Sequence, residues 1–195
     1  QRDFAAFTAQ SPLQLLYVSI LMPYKHQAEV AQAASLLRAQ GLPVRVRFIG
    51  ADWGDGGAQL RRLFQVLDPA QEYLHWSGAE PFDALHRHYQ AADACVFASS
   101  CENLPNILIE AMAAGLPIAC SDRGPMPEVL GEAGVYFDPD QPRQIADALL
   151  QLARGLSLVG VTLLFYGGLR YIPLGEATAV IFLAHMGNWD IAGAW

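Results

Sequence analysis

The chain has 195 residues, enough for one domain of ordinary size and a piece of another. Its formal net charge is −7 and Lys and Arg are nowhere clustered, which argues against a nucleic-acid partner. Cys95, Cys101 and Cys120 form no metal-spaced pair and read as reduced, buried thiols of a cytoplasmic protein.

The first residues, QRDFAAFTAQ, have no basic region followed by an apolar core and no starting Met. Residues 1–14 read as an extension, and the chain as a piece of something longer. Beyond them, strands and helices alternate. LLYVSIL (Leu15 to Leu21) is a continuous apolar run, as expected of a strand buried on both faces. A helix follows from Gln27 to Gln40, with Val30, Ala33, Ala34 and Leu37 on one face and Gly41 at its end. Then come a strand at Arg45 to Gly50, a Gly-rich connection over 52–57, a helix from Ala58 to Leu67 and a strand at Tyr73 to Gly78. A helix near Phe82 to Ala91 precedes the strand ACVFAS (Ala94 to Ser99). After Pro117 to Ser121, a short helix around Met126 to Leu130, the strand VYFD and a helix from Gln141 to Ala153 complete the region. This alternation predicts an α/β fold: a Rossmann-like parallel sheet with helices on both faces, over residues 15–154. Ligands of such sheets bind at the carboxyl ends of the strands. Four connections fall there: Ser19–Lys25, Gly50–Gly57, Gly78–Pro81 and Ser99–Asn106.

The segment SSCENLPNILIEAMAAGLPIACSDRGPMPE is the most informative. Glu102 and Glu110 stand with seven residues between them around a predicted helix start. Pro105 suits the first helical turn, and Gly115 stops the helix before Pro117 opens the next strand. The first amides of a helix lack internal partners and carry partial positive charge, so a phosphate can sit there. Two carboxylates flanking an anion site suit a ligand with hydroxyls on both sides of a diphosphate.

After Arg154 the character changes. Between Gly155 and Ala184 the only charges are Arg170 and Glu176. Each of the two apolar runs falls short of the ~20 residues that span a bilayer. Residues 155–184 are therefore expected to form an apolar helical tail. They read either as a very apolar core element or, joined and in contact with a membrane, as one interrupted span or a hairpin with RYIPLGE as the turn.

These residues resemble a known family. Residues 15–153 are similar to the C-terminal, donor-binding domain of a family 4 retaining glycosyltransferase, one half of a GT-B fold. The resemblance rests on LLYVSILMPYKHQ, VRVRFIG, LHWSGAEPFDALHRHYQAADACVFAS, SCENLPNILIEAMAAGLPIACSDRGPMPEVL and GVYFDPDQP. It implies a nucleoside diphosphate-sugar as substrate, with no obligatory metal and no other cofactor. By the resemblance, Glu110 would hold the ribose hydroxyls and Glu102 the transferred sugar. Lys25, in its PYK context, would grip the diphosphate and stabilise the departing charge, which makes Glu102 and Lys25 the catalytic candidates. The amides of Leu104 to Ile107 would receive the diphosphate, and Ser19, Gly78, Asn103 and Asn106 complete the donor-binding set. Many members carry an arginine five positions before the lysine, where this chain has Ile20. The family binds its acceptor with an N-terminal Rossmann domain, for which residues 1–12 offer no material. The chain alone is thus expected to bind donor weakly and to transfer nothing.

Two shorter resemblances follow. LLFYGGLRYIPLGEATAVIFLA is similar to part of an EamA-type transporter. HMGNWDIAGAW (185–195) is similar to the active-site motif of lipid A or phosphatidylinositol-mannoside acyltransferases, with His185 as base and Asp190 orienting it. The alternatives to the transferase are a nucleotide- or sugar-binding module tethered to a membrane through 155–184, and a fragment of a fused acyltransferase. Several residues have plainer readings. His26 reads as exposed, and His75, His86 and His88 show no ligand pattern. The 52–57 loop reads as a flexible connection and Asp93 as the cap of the turn before its strand. Glu128 either lines the crevice or merely begins a helix. Cys101 borders the anion site, where a lowered pKa would make it reactive.

Overall fold

The uninterrupted apolar runs of the chain become strands covered on both faces. In the computed structural model, which describes residues 7–168, six strands form one sheet. They are β1 (Leu13–Val18), β2 (Val44–Ile49), β3 (Leu74–Trp76), β4 (Ala94–Phe97), β5 (Ile118–Ser121) and β6 (Gly134–Phe137). Their order is β3-β2-β1-β4-β5-β6, and every pairing is parallel. All residues of β4 and β5 are buried, as strands with helices on both sides require. The helices are α1 (Gln27–Ala39), α2 (Gly56–Leu67), α3 (Leu85–Ala91), α4 (Asn106–Ala113), α5 (Met126–Leu130) and α6 (Pro142–Gly168). The strand order runs one way from β1 to β3 and the other way from β4 to β6. Right-handed crossovers then place α1 and α2 on one face and α4 and α5 on the other.

The core is aromatic at its centre. Tyr17, Phe48 and Phe97 are each at most 1% exposed. The Tyr17 ring centroid lies 5.9 Å from that of Phe48 and 6.0 Å from that of Phe97, the latter edge-on, a geometry aromatic pairs favour. Tyr17 and Phe97 come from β1 and β4, the adjacent strands from which the connections depart in opposite directions. That switch point is where a parallel sheet opens a crevice.

Several expected boundaries shift. β1 begins at Leu13, in register with Val44, so the sheet starts inside the expected extension and the chain turns away after Val18. The helix expected from Phe82 opens as a 3₁₀ turn over Phe82–Ala84. The last helix does not stop at Ala153 but continues to Gly168, because lone glycines at 155 and 160 weaken a helix without breaking it. The chain divides into two compact units, 1–155 and 156–195. In the first, Ile145, Ala146, Ala148, Leu149, Leu150 and Ala153 of α6 are buried. In the second, Leu158, Val159 and Leu163 are exposed. Among the described residues no helix is long and apolar enough to cross a membrane. Residues 169–195, with the RYIPLGE turn, most of the transporter-like stretch, His185 and Asp190, lie outside the described residues.

Candidate functional site

The floor of the crevice is a set of strand exits tied to one another through main-chain bonds. The Ser19 amide donates to the Ile49 carbonyl at 2.8 Å, Leu21 to Ala51 at 2.9 Å, and Gly50 to Gly78 at 2.8 Å. Gly50 is required here. A Cβ on it would lie 1.7 Å from the Ser19 carbonyl oxygen, so only glycine lets the exits of β1 and β2 touch main chain to main chain. Ser19 is nearly buried, and its hydroxyl donates to the Ile20 carbonyl at 3.0 Å. Gly78, at φ 79°, has open space where a Cβ would stand. The 52–57 loop is anchored rather than loose: Asp52 bridges to Leu21, and its carboxylate accepts the Gly57 amide at 2.9 Å.

Lys25 ends a 3₁₀ turn, Pro23–Lys25, that closes when its amide donates to the Met22 carbonyl at 3.0 Å. From below, the buried Tyr17 hydroxyl donates to the Lys25 carbonyl; burial pushes the Tyr17 pKa well up, so this donor keeps its proton. The Lys25 Nζ is ion-paired with the Glu102 carboxylate, the two side chains being only 10% and 15% exposed. An enclosed ammonium needs a counter-charge, and Glu102 supplies it. The Tyr24 ring, 5.2 Å away, and the Phe97 ring, 5.5 Å away, complete the enclosure.

The chain reaches α4 through Glu102–Pro105. Pro105 flanks the helix instead of entering its first turn, which begins at Asn106. Not all the amides of Leu104 to Ile107 are available. Pro105 has none, and that of Asn106 donates to the Leu104 carbonyl at 2.9 Å. Among the described residues, the amides of Asn103, Leu104 and Ile107 have no protein acceptor. They remain as donors at the positive end of the helix. The side chains of Asn103, Leu104 and Asn106 are exposed. Glu110, in the second turn of α4, accepts a hydrogen bond from Tyr89 Oη of α3 at 2.8 Å. Burial, and then this carboxylate, raise the Tyr89 pKa, so the phenol stays a donor. The two residues share the wall of a groove of about 590 Å³, along with Phe82, His86 and Ala113.

Of the expected residues, the structure thus joins Lys25 directly to Glu102 and sets Ser19 and Gly78 at the exits of β1 and β3, on either side of the β2 exit at Gly50. Glu110 meets Tyr89, which the sequence reading passed over; the available signal was its place as the one large apolar ring in the polar run HRHYQA. His26 is not exposed. Its side chain is 10% accessible and lies among Ser100, Glu29 and Asp140. Asp93 caps no turn but ties β4 to β1, accepting the Gln14 amide at 2.8 Å while its own amide donates to the Gln14 carbonyl. Glu128 is exposed in the first turn of α5. Cys95 and Cys120 are buried, and burial raises each thiol pKa to about 12; Cys101, expected to be buried with them, is exposed because it lies on the loop between β4 and α4.

A parallel sheet that opens at β1 and β4, with amides and a lysine at the opening, defines an α/β domain of the Rossmann-like kind. Residues 12–154 match the family described as Glycosyl transferases group 1, and the chain belongs to that family. It is 30% identical over 138 residues to O-antigen chain mannosyltransferase B of Escherichia coli, covering 70% of this chain and 35% of the relative. The C-terminal domain of a group 1 glycosyl transferase (LpcC) from Francisella tularensis matches with a TM-score of 0.63 at 23% identity, over 73% of this chain and 75% of that one. A variant of S. aureus TarM, solved with fondaparinux, alpha-GlcNAc-glycerol and UDP, matches with a TM-score of 0.65 at 16% identity, over 76% of this chain and 29% of that one. The fold is the Rossmann-like parallel sheet of a GT-B glycosyltransferase half. The chain spans about a third of the length of the curated relatives it matches.

Proposed function

We propose that residues 15–154 are the donor-binding half of a retaining glycosyltransferase that takes a nucleoside diphosphate-sugar. The observation that carries this reading is the enclosed Lys25–Glu102 pair beside the uncommitted amides of Leu104 and Ile107. The diphosphate would lie against those amides and the Lys25 ammonium. As the bond to the anomeric carbon breaks, charge grows on the departing diphosphate, and a cation already fixed beside it stabilises the transition state more than the ground state. No metal is needed for that role. Glu102, released from the lysine, would accept hydroxyls of the sugar. Glu110, held by Tyr89, would accept the ribose hydroxyls. The TarM structure that shares this fold was solved with UDP, which supports a nucleotide ligand.

The acceptor would come with a further domain, so this chain alone should bind donor without turnover. The test is thermal stabilisation and calorimetry with UDP-, GDP- and ADP-sugars. One of the three series should stabilise the chain, and Lys25→Ala should weaken binding at least about tenfold through loss of a charge-assisted contact. No stabilisation by any of them, or unchanged binding by the alanine variant, would overturn the reading. Sugar transfer by the chain alone would overturn the claim that it is half a site. The membrane-tethered alternative rests on 155–184, most of which lies outside the described residues.

A further inference from the structure

We infer that His26 is a positioning residue that locks the Lys25 turn to the Glu102 loop; its effect on ligand binding rests on the donor-site reading above. His26 is the single residue between the 3₁₀ turn carrying Lys25 and the start of α1. Its amide donates to the Pro23 carbonyl at 3.3 Å, and its carbonyl accepts the Val30 amide at 3.2 Å. To do both it adopts φ 51° and ψ 35°, a left-handed conformation that costs a non-glycine residue free energy. The ring offsets that cost with contacts to three other parts of the fold. Nε2 lies 2.9 Å from the Ser100 hydroxyl. Nδ1 lies 3.7 Å from the Glu29 carboxylate on α1 and 3.6 Å from Asp140, in the connection between β6 and α6. Asp140 also faces Arg123 at 3.6 Å, and Arg123 is held at 2.9 Å by Asp138.

Ser100 is what makes the ring matter to the site. Its amide donates to the Tyr24 carbonyl at 2.9 Å and its hydroxyl to the same oxygen at 3.3 Å. Two residues further on, Glu102 pairs with Lys25. Segments 22–26 and 99–102 are therefore joined twice through Ser100, at Tyr24 and at His26, and once through the ion pair itself. When a ligand breaks that ion pair, the Ser100 contacts are the hydrogen bonds that still join the two segments directly, among the described residues. The His26 ring sets the orientation of the Ser100 hydroxyl and so belongs to the frame that survives ligand entry.

His26→Gly and His26→Gln in the full chain test this. Glycine suits the left-handed backbone and removes the ring, so the midpoint of thermal unfolding should hold or rise. Amide hydrogen exchange should nevertheless accelerate in 22–26 and 99–102 and nowhere else. Affinity for UDP, GDP or ADP, whichever binds the unmodified chain, should fall about tenfold. Glutamine keeps a side-chain donor able to reach Ser100. It should restore protection and bring affinity within about twofold of the original. Unchanged exchange in the glycine variant, loosening spread over the whole domain, or a glutamine variant as loose as the glycine one would each overturn the inference. Failure of the unmodified chain to bind any of the three nucleotides would count against the proposed function instead, while the exchange comparison still decides the role of His26.

Discussion

A single phenol shows why the site was only half legible before the fold was known. Glu102, Glu110 and Lys25 stand out in the sequence by type and context, but their spacing does not show what each one touches. Lys25 and Glu102 meet because β1 and β4, distant in sequence, are neighbours in the sheet. Tyr89 meets Glu110 because α3 and α4 share a groove. Neither pairing follows from periodicity, which reports faces of elements and not their neighbours. Tyr89 is 3% exposed and aims its hydroxyl at a carboxylate. Tyr89→Phe keeps the packed ring and removes that donor. The expected cost is about 1 kcal/mol of stability by urea unfolding. Nucleotide affinity by calorimetry should fall several-fold, because Glu110 is then free to leave its rotamer.

Turns were the least legible elements, and one of them is held by a carboxylate. The chain leaves α2 at Asp68 and enters β3 at Leu74. Asp68 is 3% exposed and accepts the amides of Glu72 at 3.0 Å, Tyr73 at 2.7 Å and Leu74 at 2.9 Å. Gln71, within this turn, has φ 54°, a conformation that those bonds must sustain. Burial alone would raise the Asp68 pKa, but the three amides outweigh it and hold the carboxyl below its ordinary value. A depressed folded pKa contributes stability that is complete above the unfolded value, about 3.9, and is lost as pH falls through the folded one. Asp68→Asn should therefore cost about 1–3 kcal/mol at pH 7. The gap between variant and parent in urea unfolding should narrow below about pH 4. A gap that stayed constant into acid would contradict this account. In the sequence, Asp68 was one acid in a polar stretch; its partners are amides, which carry no residue identity to read.

At the scale of the molecule, the alternation of elements was legible throughout residues 15–153: β4 and β5, buried on both faces, read as apolar runs, and β2 reads as an alternating one with Arg47 exposed. The end of the last helix was not legible, since Gly155, Val159, Gly160 and Thr162 are weak helix formers and the helix continues through them to Gly168. Up to Ala153 the α6 residues Ile145, Leu149 and Leu150 fill the core, whereas Leu158, Val159 and Leu163 stand exposed. A chain ended after Gly155 should unfold cooperatively within a few degrees of the full one, monitored by circular dichroism. Ending it before Ile145 removes three large buried side chains, each contributing about 1.5–3 kcal/mol. That is comparable with the net stability of a domain, so the shorter chain should not fold.

The lysine at the strand opening is already neutralised by its own carboxylate, and this shapes what the crevice will accept. An incoming anion does not meet a vacant cation; it must displace a tethered competitor. Bare pyrophosphate would win the lysine yet leave the evicted glutamate close to its own negative oxygens. A molecule with a polyol ring adjoining its phosphates offers the glutamate hydroxyl protons in exchange, so both halves of the broken pair find new partners. On the donor-site reading, discrimination against simple phosphates would follow from this ion pair itself, ahead of any contact to base or sugar.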